Sequence, residues 1–277
     1  MARHEKLVRQ NIPRRIIQTG KSAELPLLDK AAVVNLRLLN PNFEYLFFDD
    51  SQVEEFMGTE FPQHLDVFNG FHSRIQRYDF FRYLAVYRFG GFYFDTDVFL
   101  ASSLDNLLQC GCVFPFEELT LQGFLRSEYG MDWEIGNYAF GAAAGDPFLN
   151  AIIQNCVRAQ QQPEWAEAMM SSIPRMFRKD FFVLNTTGPG LISRTLAEYS
   201  GACGHVRVLF PEDVCDPSSW HCFGSYGVHL QSGSWRRRSG FLRRRLQGLW
   251  ETTRRKALLR ESIQRGAKRS LQFDRPV

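Results

Sequence analysis

Two carboxylates in Phe94-Asp-Thr-Asp-Val98, Asp95 and Asp97, are the residues of this chain best suited to chemistry. They follow the apolar run Gly91-Phe-Tyr-Phe94, which reads as a strand. Alternation along a continuing strand would turn both to one side. In an open α/β sheet, ligands bind at the C-terminal ends of such strands. Two acids placed there repel unless a cation joins them. Hard oxygen ligands suit Mg²⁺ or Mn²⁺, and such an ion would take up the charge of a departing diphosphate. Upstream, Asp79 and Arg82 stand at i and i+3 of a helical pattern and share a face. They could hold sugar hydroxyls and phosphate oxygens respectively. Taken singly, the first pair is equally an acidic turn and the second an intrahelical ion pair.

The elements that must position these groups show as an alternation of strands and helices. Residues 12–17 read as a short buried strand with Pro13 near its start. Residues 29–39 have helical apolar spacing and stop at Asn40-Pro41. Residues 43–48 read as a second strand ending at Asp49-Asp50. In 72–89, Ile75, Tyr78, Phe81, Ala85 and Phe89 recur at helical spacing, and Gly90-Gly91 ends the helix. Residues 147–160 and 189–199 read as further helices. The alternation predicts an α/β fold, a single Rossmann-like domain with a mainly parallel sheet. Segments 116–133 and 160–178 read as variable acceptor loops, where Trp133 and Trp165 would either stack on sugars or pack in the core.

The run from Arg77 to Asp97 combines D-x-x-R, Gly-Gly, an aromatic and D-x-D. It closely resembles the DXD region of glycosyltransferases related to the yeast initiating α-1,6-mannosyltransferase (family 32-like). It is more distantly similar to the catalytic domains of clostridial glucosylating toxins. The resemblance implies a GT-A-type nucleotide-diphospho-sugar transferase fold over residues 1–235 and retention of anomeric configuration. Asp95, Asp97 and Arg82 would be catalytic, with Mn²⁺ or Mg²⁺ at Asp95, Asp97 and His229. Gln18 and Thr19 would lie on the opening strand that contacts the nucleotide base, although Gly20 stands where the family often has Trp. Asp79, Arg82 and Asn137 would contact the donor. Ser234 and Trp235 would close over its diphosphate, and Thr187-Gly-Pro189 matches a segment that opens a helix. The donor would be a UDP-sugar or GDP-mannose. The acceptor would be a glycan or glycolipid in cell-surface polysaccharide synthesis. The alternatives are a toxin-like effector that glycosylates a protein and a non-catalytic carbohydrate-binding protein on the same fold.

Two other motifs match in part; the first is rejected and the second stays as a minor enzyme alternative. Thr19-Gly-Lys-Ser22 resembles the tail of a phosphate-binding loop, but Arg15 stands where that motif needs Gly. Phe94-Asp-Thr-Asp-Val98 also resembles the motif of haloacid-dehalogenase-like phosphatases, but Phe99 stands where Thr or Val is usual.

Composition sets the outer bounds. A chain of 277 residues, 44% hydrophobic and 23% charged, can bury a full core and is neither collagen, coiled coil nor wholly disordered. The net charge of +3 conceals a split. Residues 1–235 hold 19 Lys/Arg against 27 Asp/Glu, and residues 236–277 hold 14 against 3. In 241–263, Leu242, Leu246, Leu249, Trp250, Ala257 and Leu258 alternate with arginines at helical spacing. Such a basic tail either meets an anionic membrane surface or packs on the acidic body. No nucleic-acid motif accompanies it, so nucleic acid is not an expected partner. Charged residues interrupt Phe80 to Leu100, so no ~20-residue membrane span is expected. The six cysteines lack metal-site spacing and read as free thiols. A cytoplasmic protein, peripheral on the cytoplasmic face of a membrane, is the expectation.

Overall fold

The computed structural model describes residues 11–200, 204–231 and 241–264. The chain opens with β1 (Arg15–Thr19), α1 (Leu27–Leu39), β2 (Glu44–Phe48), α2 (Asp50–Glu60) and α3 (Leu65–Gly70). Then come α4 (Arg74–Phe89), β3 (Gly91–Phe94), β4 (Val98–Leu100), β5 (Cys112–Leu119), α5 (Gly123–Tyr129) and β6 (Trp133–Ile135). β7 (Ala139–Ala142), α6 (Pro147–Gln161), α7 (Pro163–Glu167), α8 (Arg178–Thr186) and α9 (Pro189–Glu198) follow. β8 (Val206–Leu209), β9 (Gly227–His229) and α10 (Phe241–Gln264) complete the described order.

The central sheet runs β2-β1-β3-β7-β5-β6, with β8 added to β5. β2, β1, β3, β5 and β8 point one way, while β7 and β6 oppose them. The expected mainly parallel α/β sheet is therefore present, with two antiparallel insertions. β4 and β9 form a separate antiparallel pair in which Val98 faces His229. One core layer packs α4, α6 and α9 on the sheet, and the other packs Leu36 of α1 against Ile16, Phe92 and Phe94.

The helix carrying Asp79 and Arg82 is fixed at both ends. At its start, the Ser73 side chain accepts from Ile75 N, and Gln76 returns a bond to the Ser73 backbone. At its end, Gly90 takes φ 65°, and a Cβ there would lie 2.8 Å from Ala144 N. Gly91 takes φ 112°, and its Cβ would meet Arg15 O at 2.6 Å. Only glycine permits that turn and that close approach. The buried run is Gln76 and Asp79 through Val86, wider than the single apolar stripe read from the sequence. Helices pack on one side of α4 and the sheet on the other, so its polar residues are buried as well.

Two readings are corrected. Segments 116–133 and 160–178 are not open loops: they hold the second half of β5, all of α5 and α7, and the start of β6. Trp133 and Trp165 are buried there, and the guanidinium of Arg194 lies 3.7 Å from the Trp165 ring centroid. The second correction concerns β3, which ends at Phe94. Asp95 to Val98 forms a turn closed by Val98 N donating to Asp95 O at 3.2 Å. A turn, not strand pleating, brings the two aspartates together.

The C-terminal helix lies on the body. Leu258 is buried, Trp250 packs on Phe177 and Phe181, Arg126 donates to Glu261 at 2.6 Å, and Arg255 pairs with Glu118 at 2.5 Å. Among the described residues, no helix is long and apolar enough to cross a membrane.

Candidate active site

The end of β3 delivers Asp95, and the turn after it delivers Asp97. Asp95 N donates to Tyr138 O at 2.7 Å, which docks the turn on the chain before β7. β9 brings His229 alongside, with Nε2 3.2 Å from Asp97 Oδ1. The His229 ring stacks on Tyr138 at 4.4 Å between centroids. Ligand-type atoms of Asp95, Asp97 and His229 all lie within 4.8 Å of one another. Two carboxylates and an imidazole form a donor set that suits Mn²⁺ or Mg²⁺.

Behind this group lies a buried polar ring. Arg82 reaches Asp79 and Asp95, each at 3.2 Å. It donates to Asn137 O at 2.8 Å and stands 4.6 Å over the Tyr93 ring. Asn137 Nδ2 donates to Asp79 Oδ1 at 3.0 Å and to the Tyr83 hydroxyl at 2.9 Å. Thr187 Oγ1 donates to Asp79 Oδ2 at 2.9 Å, and Tyr83 OH donates to Thr187 O at 2.7 Å. Tyr93 OH donates to Asp95 Oδ1 at 2.9 Å. Each member holds the next in one orientation, which pre-sets Arg82 toward the aspartate turn.

Burial sets the charges. It opposes ionisation of Arg82, but Asp95, Tyr93 and Asp79 outweigh it and hold the guanidinium above its ordinary pKa. Burial raises Asp79 to about 6, against the pull of Arg82 and the Thr187 hydroxyl. Burial also raises Asp95, against Arg82 and His229. For His229, burial lowers the pKa, yet the bond to Asp97 and the charge of Asp95 leave it raised. A bound divalent cation would invert this, favouring ionised aspartates and a neutral imidazole.

The other residues singled out in the sequence lie at varied depths. Gln18 is buried, with Nε2 donating to Asp95 O at 3.3 Å and Oε1 accepting from Tyr45 OH at 2.9 Å. Thr19 Oγ1 donates to Phe48 O at 2.9 Å. These two brace the strand ends under the aspartate turn. Thr96, between the aspartates, donates to Asp29 Oδ2 of α1 at 2.7 Å. Ser234 and Trp235 lie outside the described residues, as does the expected 235/236 domain boundary. Tyr83, Tyr93, Tyr138 and Asp29 were not singled out as site residues. Two had a signal: Tyr93 sits two residues before Asp95 on an alternating strand, and Tyr83 sits one turn after Asp79.

The family model described as "Glycosyltransferase sugar-binding region containing DXD motif" matches residues 26–113, a span that holds Asp79, Arg82, Asp95 and Asp97. Over those residues, about a third of the chain, it resembles the DXD-containing glycosyltransferases. The chain is 29% identical over 226 residues to inositol phosphoceramide mannosyltransferase 3 of Schizosaccharomyces pombe, covering 76% of this chain and 56% of that protein. It is 26% identical over 227 residues to a mannosyl phosphorylinositol ceramide synthase of Saccharomyces cerevisiae, covering 76% and 54%. The chain thus spans about half the length of the curated relatives it matches. Among solved structures, the ligand-free glycosyltransferase domain of the YGT toxin superposes with TM-score 0.50 at 10% identity, covering 72% of this chain and 80% of that one. That likeness concerns the fold, which is of GT-A type.

Proposed function

We propose that this chain is a metal-dependent, retaining hexosyltransferase that moves a sugar from a nucleotide diphosphate to a glycolipid. The convergence of Asp95, Asp97 and His229 in front of the buried Arg82 carries the reading. Those three residues would hold Mn²⁺ or Mg²⁺, which supplies positive charge to the departing diphosphate. Arg82 adds a fixed guanidinium whose position is set by Asp79, Asn137 and Tyr93, so little reorganisation is needed as charge develops. Asn137 and Asp79 hold the guanidinium in place. Retention of configuration is carried over from the family resemblance.

The names of the relatives support a mannosyl donor and a ceramide-type lipid acceptor. The basic α10 supports peripheral membrane attachment: Trp250 and Leu258 face the body, while Leu246 and Leu249 stay exposed on a helix rich in arginine. The test is a donor screen with Mn²⁺. It measures nucleoside diphosphate release from GDP-mannose and UDP-hexoses, then transfer to phosphoinositol ceramide in micelles. Release and transfer with one donor support the reading. Binding of donors with no release under any metal refutes it in favour of a non-catalytic carbohydrate-binding protein.

A further inference from the structure

α1 turns an apolar face outward beside the aspartate turn. Leu27 is 82% exposed, Leu28 65%, Val34 56% and Leu38 73%. Positions 27, 31, 34 and 38 follow helical spacing, so Leu27, Ala31, Val34 and Leu38 form one stripe. Shallow depressions flank it, one lined by Lys30 and Asn35 and the other by Arg37 and Tyr45. A contiguous exposed stripe of this kind on a folded surface marks an interaction site.

The helix cannot turn this face inward, because its opposite face is bonded to the aspartate turn and to the segment after it. Asp29 accepts from Thr96, and Asn35 both donates to Leu100 O at 3.1 Å and accepts from Leu100 N at 2.8 Å. Asn40 Oδ1, just past the helix, accepts from Leu104 N at 2.9 Å. Leu36 and Ala32 fill the core between these bonds. The exposed stripe is therefore a rigid feature, indexed residue by residue to the catalytic turn.

Charge selects the occupant. Lys30 and Arg37 are exposed on this helix, and its single carboxylate, Asp29, is turned to Thr96. The charged chain ends in the sequence, residues 1–10 and 265–277, are both net basic, as is Arg236-Arg-Arg238, so they match this rim poorly. A two-fold pairing of this face with a second copy would bring like charges together. Protruding leucines flanked by Lys30 and Arg37 match the interface of a bilayer containing anionic lipid.

We infer that the outer face of α1 docks on an anionic phospholipid surface, holding the aspartate turn at the height of a lipid headgroup. This rests on the glycolipid reading above and adds a contact distinct from α10. The experiment uses the full chain and vesicles of phosphatidylcholine with or without phosphatidylglycerol, read by flotation. Leu27→Gln/Leu38→Gln should weaken vesicle binding by at least about tenfold, with unchanged thermal midpoint and unchanged Mn²⁺-dependent donor hydrolysis. Lys30→Gln/Arg37→Gln should weaken binding to the anionic vesicles selectively. Unchanged binding in the leucine variant overturns the inference, as does loss confined to Leu246→Gln/Leu249→Gln in α10. A shift from dimer to monomer in the α1 variant, seen by light scattering without vesicles, also overturns it in favour of a second copy. Transfer to micellar glycolipid separates the two claims. If transfer occurs while vesicle binding ignores α1, the docking face falls and the function stands. If α1 governs vesicle binding but no glycolipid is modified, the face stands and the acceptor assignment falls.

Discussion

Two carboxylate clusters, one around the β3 turn and one around β5 and β6, solve the burial of acids differently. On β5 and β6, Glu118 faces Glu134 across the strands, and Glu117 adjoins. Arg255 of α10 pairs with Glu118, and His221 stands 3.3 Å from Glu117. Glu134 accepts from Thr120 and Gln122, and burial beside Glu118 pushes its pKa up to about 8. Those acids are answered by the chain itself and by a proton. At the β3 turn the carboxylates converge instead with an imidazole. Among the described residues this is the one group of three such side chains whose ligand atoms come within 4.8 Å. The β5–β6 acids are partnered within the chain, whereas the β3 turn, backed by Arg82, gathers the ligand set proposed above for a divalent cation.

The largest expected effect tests that distinction at Asp97. Asp97→Asn should lower metal-stimulated nucleoside diphosphate release by at least ~10²-fold, with an unchanged circular dichroism spectrum. Glu118→Gln, in the other cluster, should leave release per folded molecule within about threefold; a comparable collapse there would erase the contrast.

Next comes Arg82→Met. It strands Asp79 and Asp95 without their buried cation, a loss of roughly 3–5 kcal/mol. Chemical denaturation should read this, and adding Asp79→Asn should cost less than the sum of the two single changes because they share a network. Full additivity would mean that the ring does not act as a unit.

Arg255→Met should have a smaller effect, about 1–3 kcal/mol, because this pair is partly solvated. Its signature is release of α10, seen as faster proteolysis within 241–264, with donor hydrolysis retained.

The last test is a pH dependence. The Glu134 carboxyl is raised to about 8 by burial, beside Glu118. A raised folded pKa means that its contribution is fully present below the unfolded value of roughly 4.3 and is lost as pH rises toward 8. Thermal midpoints should therefore fall less for Glu134→Gln than for the parent between pH 5 and 8. Parallel curves would place the proton elsewhere.

Much of the candidate site was legible in the sequence because it is local. Asp79, Arg82, Gly90-Gly91 and the D-x-D lie within one helix–turn–strand unit, and their spacing fixes their relation. Asn137, Thr187 and His229 were reached through resemblance, since they arrive from distant segments whose meeting depends on sheet order. The Tyr138 stack on His229 left no trace in spacing. The antiparallel β7 and β6 were hidden because Ala139–Ala142 and Trp133–Ile135 are too short to show alternation. The tail helix was legible as amphipathic, but its partner surface was not: Phe177, Phe181 and Glu118 lie far away in the chain.

The central claim is that the β3 turn, and not the β5–β6 cluster, is built for a divalent cation. Titration of Mn²⁺ into the protein with GDP or UDP present, followed by electron paramagnetic resonance, tests it most directly. The account predicts one bound Mn²⁺ per chain for the parent and for Glu118→Gln, and loss of that ion in Asp97→Asn. Equal uptake by Asp97→Asn, or no stoichiometric uptake by the parent, would contradict it.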